Sequence, residues 1–195
     1  MLFTDLYELS MARVYHAEDM NREAVFELFF RRLPEDRNYI LACGQNQALQ
    51  ALLDFRITPE EIDWLASLDG FPDDFLRFLQ DLRFTGDVEV IPEGSVVFPR
   101  EPVMRIRAPL IQAQLVETLL LNTVHAQSVL ASKAARVVDA ADGRPVMDFG
   151  ARKAQGREGA MNLARTSWIA GASGTSNMEA GQALGIPVLG TMAHS

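Results

Sequence analysis

The chain is 195 residues long, 48 % hydrophobic and 23 % charged, with a net charge of −8. That is enough apolar material for a buried core in one large domain or parts of two, and the acidic balance excludes a nucleic-acid surface, which needs clustered Lys and Arg. A local anion site built from a few arginines and backbone amides stays open. The single cysteine, Cys43, rules out an intrachain disulfide framework and points to a reducing compartment. It lies in an apolar stretch and reads as a small buried hydrophobe. No signal peptide is legible, because Asp5 and Glu8 interrupt the start. No apolar run approaches the ~20 residues a membrane span requires. The expectation is a cytoplasmic protein with no membrane or nucleic-acid partner.

Taken in chain order, Ala24 to Arg32 is β-rich and aromatic and predicts a strand, and Gln45 to Phe55 predicts a helix. Thr58-Pro59-Glu60-Glu61 carries a helix start: a Thr N-cap, Pro at the first helical position and an acid placed for a capping box. Another helix is predicted from Asp73 to Leu82, with Phe75, Phe78, Leu79 and Leu82 on one face. Asp87 to Arg107 alternates and is cut by Pro-Glu-Gly and Pro-Arg-Glu-Pro, predicting a three-stranded antiparallel meander. Pro109 to Ala141 repeats its apolar residues every three or four positions, as two helices would. Beyond Gly143 the expected order is strand (Arg144 to Phe149), helix (Arg157 to Ser167), strand (Trp168 to Ala170), helix (Asn177 to Leu184) and strand (Ile186 to Thr191). That alternation belongs to parallel βα units, in which chemistry gathers at strand carboxyl ends.

Three motifs fall at those ends. Asp148-Phe149-Gly150-Ala151-Arg152 offers a ring to stack on a planar ligand and a guanidinium to pair with a carboxylate or phosphate. A core Phe and a surface Arg are the plainer alternative. Ser173-Gly174-Thr175-Ser176-Asn177 runs into a helix, where small hydroxyl residues cap the helix or donate to an anion. Gly190-Thr191-Met192-Ala193-His194-Ser195 carries a histidine able to act as acid, base or nucleophile. His16 and His125 read as structural, and Lys133 and Arg136 as a solvated helix face with a phosphate contact as the alternative.

The segments Thr4-Asp5-Leu6-Tyr7, Phe26-Glu27-Leu28-Phe29-Phe30-Arg31, Val116-Glu117-Thr118-Leu119-Leu120-Leu121-Asn122, Asp148-Phe149-Gly150, Ala154-Gln155-Gly156, Gly174-Thr175-Ser176-Asn177 and Gly190 to Ser195 occur in this order. As an ordered set spanning the chain, they resemble nicotinate phosphoribosyltransferase. The resemblance implies a mixed α/β amino-terminal domain over residues 1–110, followed over 111–195 by the first βα units of an irregular, here incomplete, α/β barrel. It implies formation of nicotinate mononucleotide from nicotinate and phosphoribosyl pyrophosphate, coupled to ATP hydrolysis, with Mg2+ accompanying these co-substrates. Homodimers with shared sites are typical of the family.

By the same resemblance, Tyr7 is the ring a neighbouring subunit lends to one face of the pyridine, and Phe149 covers the other face. Arg152 lies near the ring carboxylate and the product phosphate. Ser176 stands where nicotinamide-using relatives carry an aspartate, which would accept from an amide but repel a carboxylate. His194 matches the residue phosphorylated by ATP, and Ser195 is placed to bond a phosphate. Ala151, Lys153 and Ala172-Ser173 depart from the usual pattern. Longer relatives continue past this point with ribose- and phosphate-binding motifs, so the chain is expected to be a fragment needing the missing half or a partner chain. A non-catalytic remnant, or a nicotinamide- or quinolinate-using relative, is the alternative.

Overall fold

The computed structural model describes residues 2–192. The chain forms α1 (Leu6–Ala17), β1 (Glu23–Leu28), β2 (Ile40–Leu41), α2 (Gln45–Leu53), α3 (Pro59–Ala66), α4 (Asp73–Asp81), β3 (Asp87–Val90), β4 (Val96–Val97), β5 (Met104–Pro109), α5 (Leu110–Leu115), α6 (Glu117–Ala140), β6 (Met147–Asp148), α7 (Gly156–Ile169), β7 (Gly174–Thr175) and α8 (Met178–Leu184). It divides into two compact units, both discontinuous in sequence. One gathers the described residues up to Phe29 with Gln45–Val90 and Pro102–Thr123; the other gathers Phe30–Gly44, Ile91–Glu101 and the described residues from Val124 onward.

The first unit is built on a sheet of order β1-β5-β3, antiparallel throughout. Period-two alternation turns Met104, Ile106 and Ala108 of β5 inward. On the exposed face Arg105 stands opposite both Glu27 and Glu89 and donates to each, at 2.8 and 3.2 Å. The predicted meander is therefore corrected. β3 and β5 are neighbours, but the middle piece, β4, leaves this sheet to pair with β2. β1 takes the other side of β5, because its longer alternating run offers six ladder positions. α3 begins as its sequence dictates: Thr58 Oγ1 accepts from Glu61 N–H, and Glu61 Oε2 accepts from Thr58 N–H at 2.8 Å. Phe75, Leu76 and Leu79 of α4 are buried, and His16 of α1 packs on Phe75 and Phe78, with ring centroids 5.6 and 4.8 Å away. The structural reading of His16 fits that packing.

In the second unit, α6 grips the β2 segment through serines. Ser132 Oγ accepts from Leu41 N–H at 2.9 Å and Ser128 Oγ from Cys43 N–H at 3.0 Å. Leu41, Cys43, Ala131 and Ala135 form a small buried cluster, joined by Tyr39, Ile169 and Ala170 at its edge. Thus Trp168 to Ala170 is not a strand. Trp168 and Ile169 complete α7 and Ala170 caps it; a three-residue apolar run carries no period of its own and follows its neighbours. The expected strand lies later, at β7. β6 and β7 are parallel, in register Met147↔Gly174 and Asp148↔Thr175, and Val188 adds a third parallel segment through a bridge to Thr175. Parallel strands joined through α7 and α8 are the βα units that the sequence pattern predicts.

Candidate active site

The carboxyl ends of β6 and β7 are tied by side chains as well as by backbone. Asp148, the last residue of β6, is half-buried. Its Oδ2 accepts from Thr175 Oγ1 at 2.7 Å and its Oδ1 from Gly150 N–H at 2.9 Å. Ser176 N–H donates to the Asp148 carbonyl at 2.9 Å, and Thr175 Oγ1 accepts from Asn177 N–H at 3.1 Å. On the other side Thr175 N–H reaches Pro187 O at 3.0 Å and Leu189 N–H reaches Thr175 O at 2.9 Å. Three successive strand ends are thereby locked side by side.

Phe149 leaves β6 at the end of this lock with 43 % of its surface exposed, so it is a presented ring rather than the core residue of the plainer alternative. Arg152 follows on a single 3-10 turn, Ala151–Lys153. It is exposed and forms no ion pair with any described residue. Arg157, by contrast, is committed to Glu179, donating to its carboxylate through Nε at 3.0 Å and through Nη2. Ser176 is exposed at the end of β7. The capping reading of its motif belongs to its neighbour: Asn177 Oδ1 accepts from Glu179 and Ala180 N–H at 3.1 and 3.2 Å. Phe149 and Ser176 therefore stand on adjacent strand ends, joined through Asp148, with Arg152 one short turn further on.

Tyr7 lies in the other compact unit, on α1, and 47 % of its surface is exposed. Burial of its hydroxyl, reinforced by the Glu117 carboxylate, pushes the phenol above the ordinary tyrosine range, so the ring is neutral at physiological pH. Its surroundings explain why Thr4, Asp5, Glu117 and Thr118 accompany it in the sequence. Thr118 Oγ1 donates toward Asp5 and toward the fully buried Glu8, each at 2.6 Å, and Glu8 also takes a hydrogen bond from Thr4. His194 and Ser195 lie outside the described residues. Of the remaining cations, Arg136 pairs with Asp36 at 3.3 Å, as a solvated face would, and His125 is exposed. Lys133 lines a groove of about 260 Å3 shared with Val137, Met147, Asp148, Phe149 and Leu163.

Asp148 and Thr175 enter the sequence pattern only as members of their motifs, and neither Glu8 nor Arg165 is given a role by it. The Asp-x-Gly spacing, which lets an aspartate accept from the N–H two residues on, is a signal for the first. Arg165 has no such signal. Its guanidinium meets Glu93 from a distant turn, with a second contact to Gln127 at 3.0 Å, and Glu93 Oε1 also accepts from Gly44 N–H at 2.7 Å.

Parallel strand–helix units present an aromatic ring and a hydroxyl on adjacent strand ends, with a guanidinium unpaired among the described residues on the turn that follows, a set of groups with the chemistry to hold a planar anion. The chain belongs to the nicotinate phosphoribosyltransferase family: the sequence profile described as the nicotinate phosphoribosyltransferase (NAPRTase) N-terminal domain matches residues 2–125. A nicotinate phosphoribosyltransferase of Mycobacterium tuberculosis is 57 % identical over 194 residues, covering 100 % of this chain and 42 % of that protein. One from Bacillus subtilis is 42 % identical over 195 residues, covering 100 % and 40 %. The crystal structure of human nicotinic acid phosphoribosyltransferase superimposes with a TM-score of 0.89 at 38 % identity, covering 98 % of this chain and 39 % of the human one. A nicotinate-nucleotide pyrophosphorylase from Pyrococcus furiosus, at 22 % identity and TM-score 0.79, shares the fold. The chain spans about two fifths of the length of the relatives it matches.

Proposed function

We propose that this chain supplies the base-binding side of a nicotinate phosphoribosyltransferase, joining nicotinate to phosphoribosyl pyrophosphate with coupled ATP hydrolysis and so feeding NAD synthesis. The observation that carries the proposal is the locked pair of strand ends presenting Phe149 and Ser176, with Arg152, unpaired among the described residues, on the turn that follows. The pyridine ring stacks on Phe149, and the ring of Tyr7, lent by a second copy of the chain, covers its other face. Arg152 pairs with the carboxylate. Ser176 donates a hydrogen bond where an aspartate would repel the anion, which selects nicotinate over nicotinamide. The ring nitrogen displaces pyrophosphate from the ribose carbon.

In this proposal His194 takes the γ-phosphoryl group of ATP on a ring nitrogen and releases ADP; hydrolysis of the phosphohistidine draws the condensation forward. Ser195 bonds a phosphate oxygen. Mg2+ enters with the polyphosphate co-substrates, whose oxygens suit it. Residues 111–195 are taken as the start of a barrel whose remainder, in the same or a partner chain, brings the ribose and phosphate contacts. The working enzyme is a cytoplasmic homodimer. The test is a chimera in which residues 1–195 are followed by the remaining portion of the M. tuberculosis relative, assayed for nicotinate mononucleotide and ADP. His194→Ala is expected to abolish the dependence of product on ATP; undiminished coupling in that variant contradicts the role assigned to His194.

A further inference from the structure

We propose that Asp148 is a positioning residue for base binding, acting through Thr175 to hold Phe149 and Ser176 at the spacing a pyridine carboxylate requires; the proposal rests on the base site described above. Both carboxylate oxygens of Asp148 are taken by the protein, one by Gly150 N–H at 2.9 Å and one by the Thr175 hydroxyl at 2.7 Å. Its charge is thus spent on donors, not offered to a ligand that is itself an anion. Thr175 is fully buried. Its single hydroxyl proton goes to Asp148 while its oxygen accepts from Asn177 N–H at 3.1 Å, so one side chain fixes the exits of both strands.

Such a tie is needed because the ladder is short. β6 and β7 share only the pairs Met147↔Gly174 and Asp148↔Thr175, and a two-residue parallel pairing does little to hold the residues that follow it. The exits are also tightly seated. A Cβ on Gly150 would come within 2.7 Å of Leu163 Cδ2 and 3.2 Å of Asp148 Oδ1, and one on Gly174 within 2.5 Å of Pro187 O. The Asp148–Thr175 bond thus decides where within this packing the ring and the hydroxyl stand, and displacement of a binding group by about 1 Å is enough to cost up to ~100-fold.

The experiment measures steady-state constants in the chimera defined above for Thr175→Val, Thr175→Ser and Asp148→Asn, with melting temperature as a control. The expected result is a KM for nicotinate raised about 10- to 100-fold in Thr175→Val, the KM for phosphoribosyl pyrophosphate within about twofold, and recovery in Thr175→Ser. A purely structural role would lower the melting temperature and the active fraction, hence apparent kcat, and leave the nicotinate KM alone. That outcome, or an equal rise in both KM values, overturns the proposal. If Thr175→Val does not fold, Thr175→Ala reads the same split, because it removes the same hydroxyl from the Asp148 carboxylate without adding bulk. Phe149→Ala and Arg152→Ala separate the two levels. If they raise the nicotinate KM while the Asp148 and Thr175 variants do not, the positioning role alone is wrong; if they too leave it unchanged, the base site is elsewhere and the proposal falls with it.

Discussion

Glu8 and Thr118 meet at the amino terminus of α6: the buried Glu8 carboxylate accepts the Thr118 N–H at 3.1 Å and its hydroxyl at 2.6 Å. A carboxylate there satisfies an otherwise orphaned backbone donor and faces the positive end of a 24-residue helix. Glu8→Ala is therefore expected to lower unfolding stability by about 1–3 kcal/mol, since it strands partly buried donors. Thr118→Val should cost less, because Glu8 keeps its bond from Thr4. Urea unfolding midpoints with unchanged slope check both; an unshifted midpoint in Glu8→Ala would show that the contact contributes nothing.

Arg165 and Glu93 form a largely buried ion pair, their side chains only 16 % and 8 % exposed. Burial by itself would lower the arginine's affinity for its proton, but Glu93 more than restores it, and the pair stays charged. Arg165→Met leaves the Glu93 carboxylate buried without its cation and is expected to cost about 3–5 kcal/mol, whereas replacing both residues by Met should recover much of that loss. A double-mutant cycle by calorimetry measures the coupling; additive effects would contradict it.

Burial, and next the nearby Glu93 charge, pushes the Cys43 thiol from its ordinary value near 9 up to about 11. A folded-state value raised above the unfolded one means that the protonated thiol favours the fold. This contribution is complete below pH ~9 and is lost as pH rises through ~11. Native protein should resist thiol reagents at pH 8 and react once unfolded in urea. The melting temperature of Cys43→Ala should fall less steeply between pH 9 and 11 than that of the parent; parallel curves would refute the linkage.

Base selection supplies the sharpest functional substitution. Ser176→Asp places a carboxylate where the nicotinate carboxylate is proposed to lie. It should raise the KM for nicotinate by about 10- to 100-fold while improving use of nicotinamide, an estimate from the ~1.5–3 kcal/mol of a charge-assisted hydrogen bond. Competition between isotope-labelled bases reads the ratio directly, and an unchanged preference for nicotinate would remove Ser176 from the site.

Much of this architecture is legible in the sequence wherever a local rule decides. The Thr58-Pro59 start, the α4 face and the parallel βα alternation after Gly143 each follow from capping, period or turn chemistry. What escapes is decided by distant partners. β4 leaves β3 and β5 because β2, some 55 residues earlier, offers it an edge, and Trp168 joins a helix because Ile169 and Ala170 pack against the cluster of Leu41, Cys43, Ala131 and Ala135. The site shows the same division. Phe149 and Ser176 are visible as residue types at strand ends, and Arg152 as a cation just beyond one. The Asp148–Thr175 bond between them spans 27 positions, and nothing in either motif alone announces it.

Product formation by the completed chimera, offered nicotinate, nicotinamide and quinolinate in turn with phosphoribosyl pyrophosphate and ATP, tests the central claim most directly. The proposed site predicts nicotinate as the base consumed fastest, giving nicotinate mononucleotide without release of CO2, with ADP released alongside and product formation stimulated by ATP. Dominant turnover of either other base, or no mononucleotide from nicotinate by a folded chimera, would contradict it.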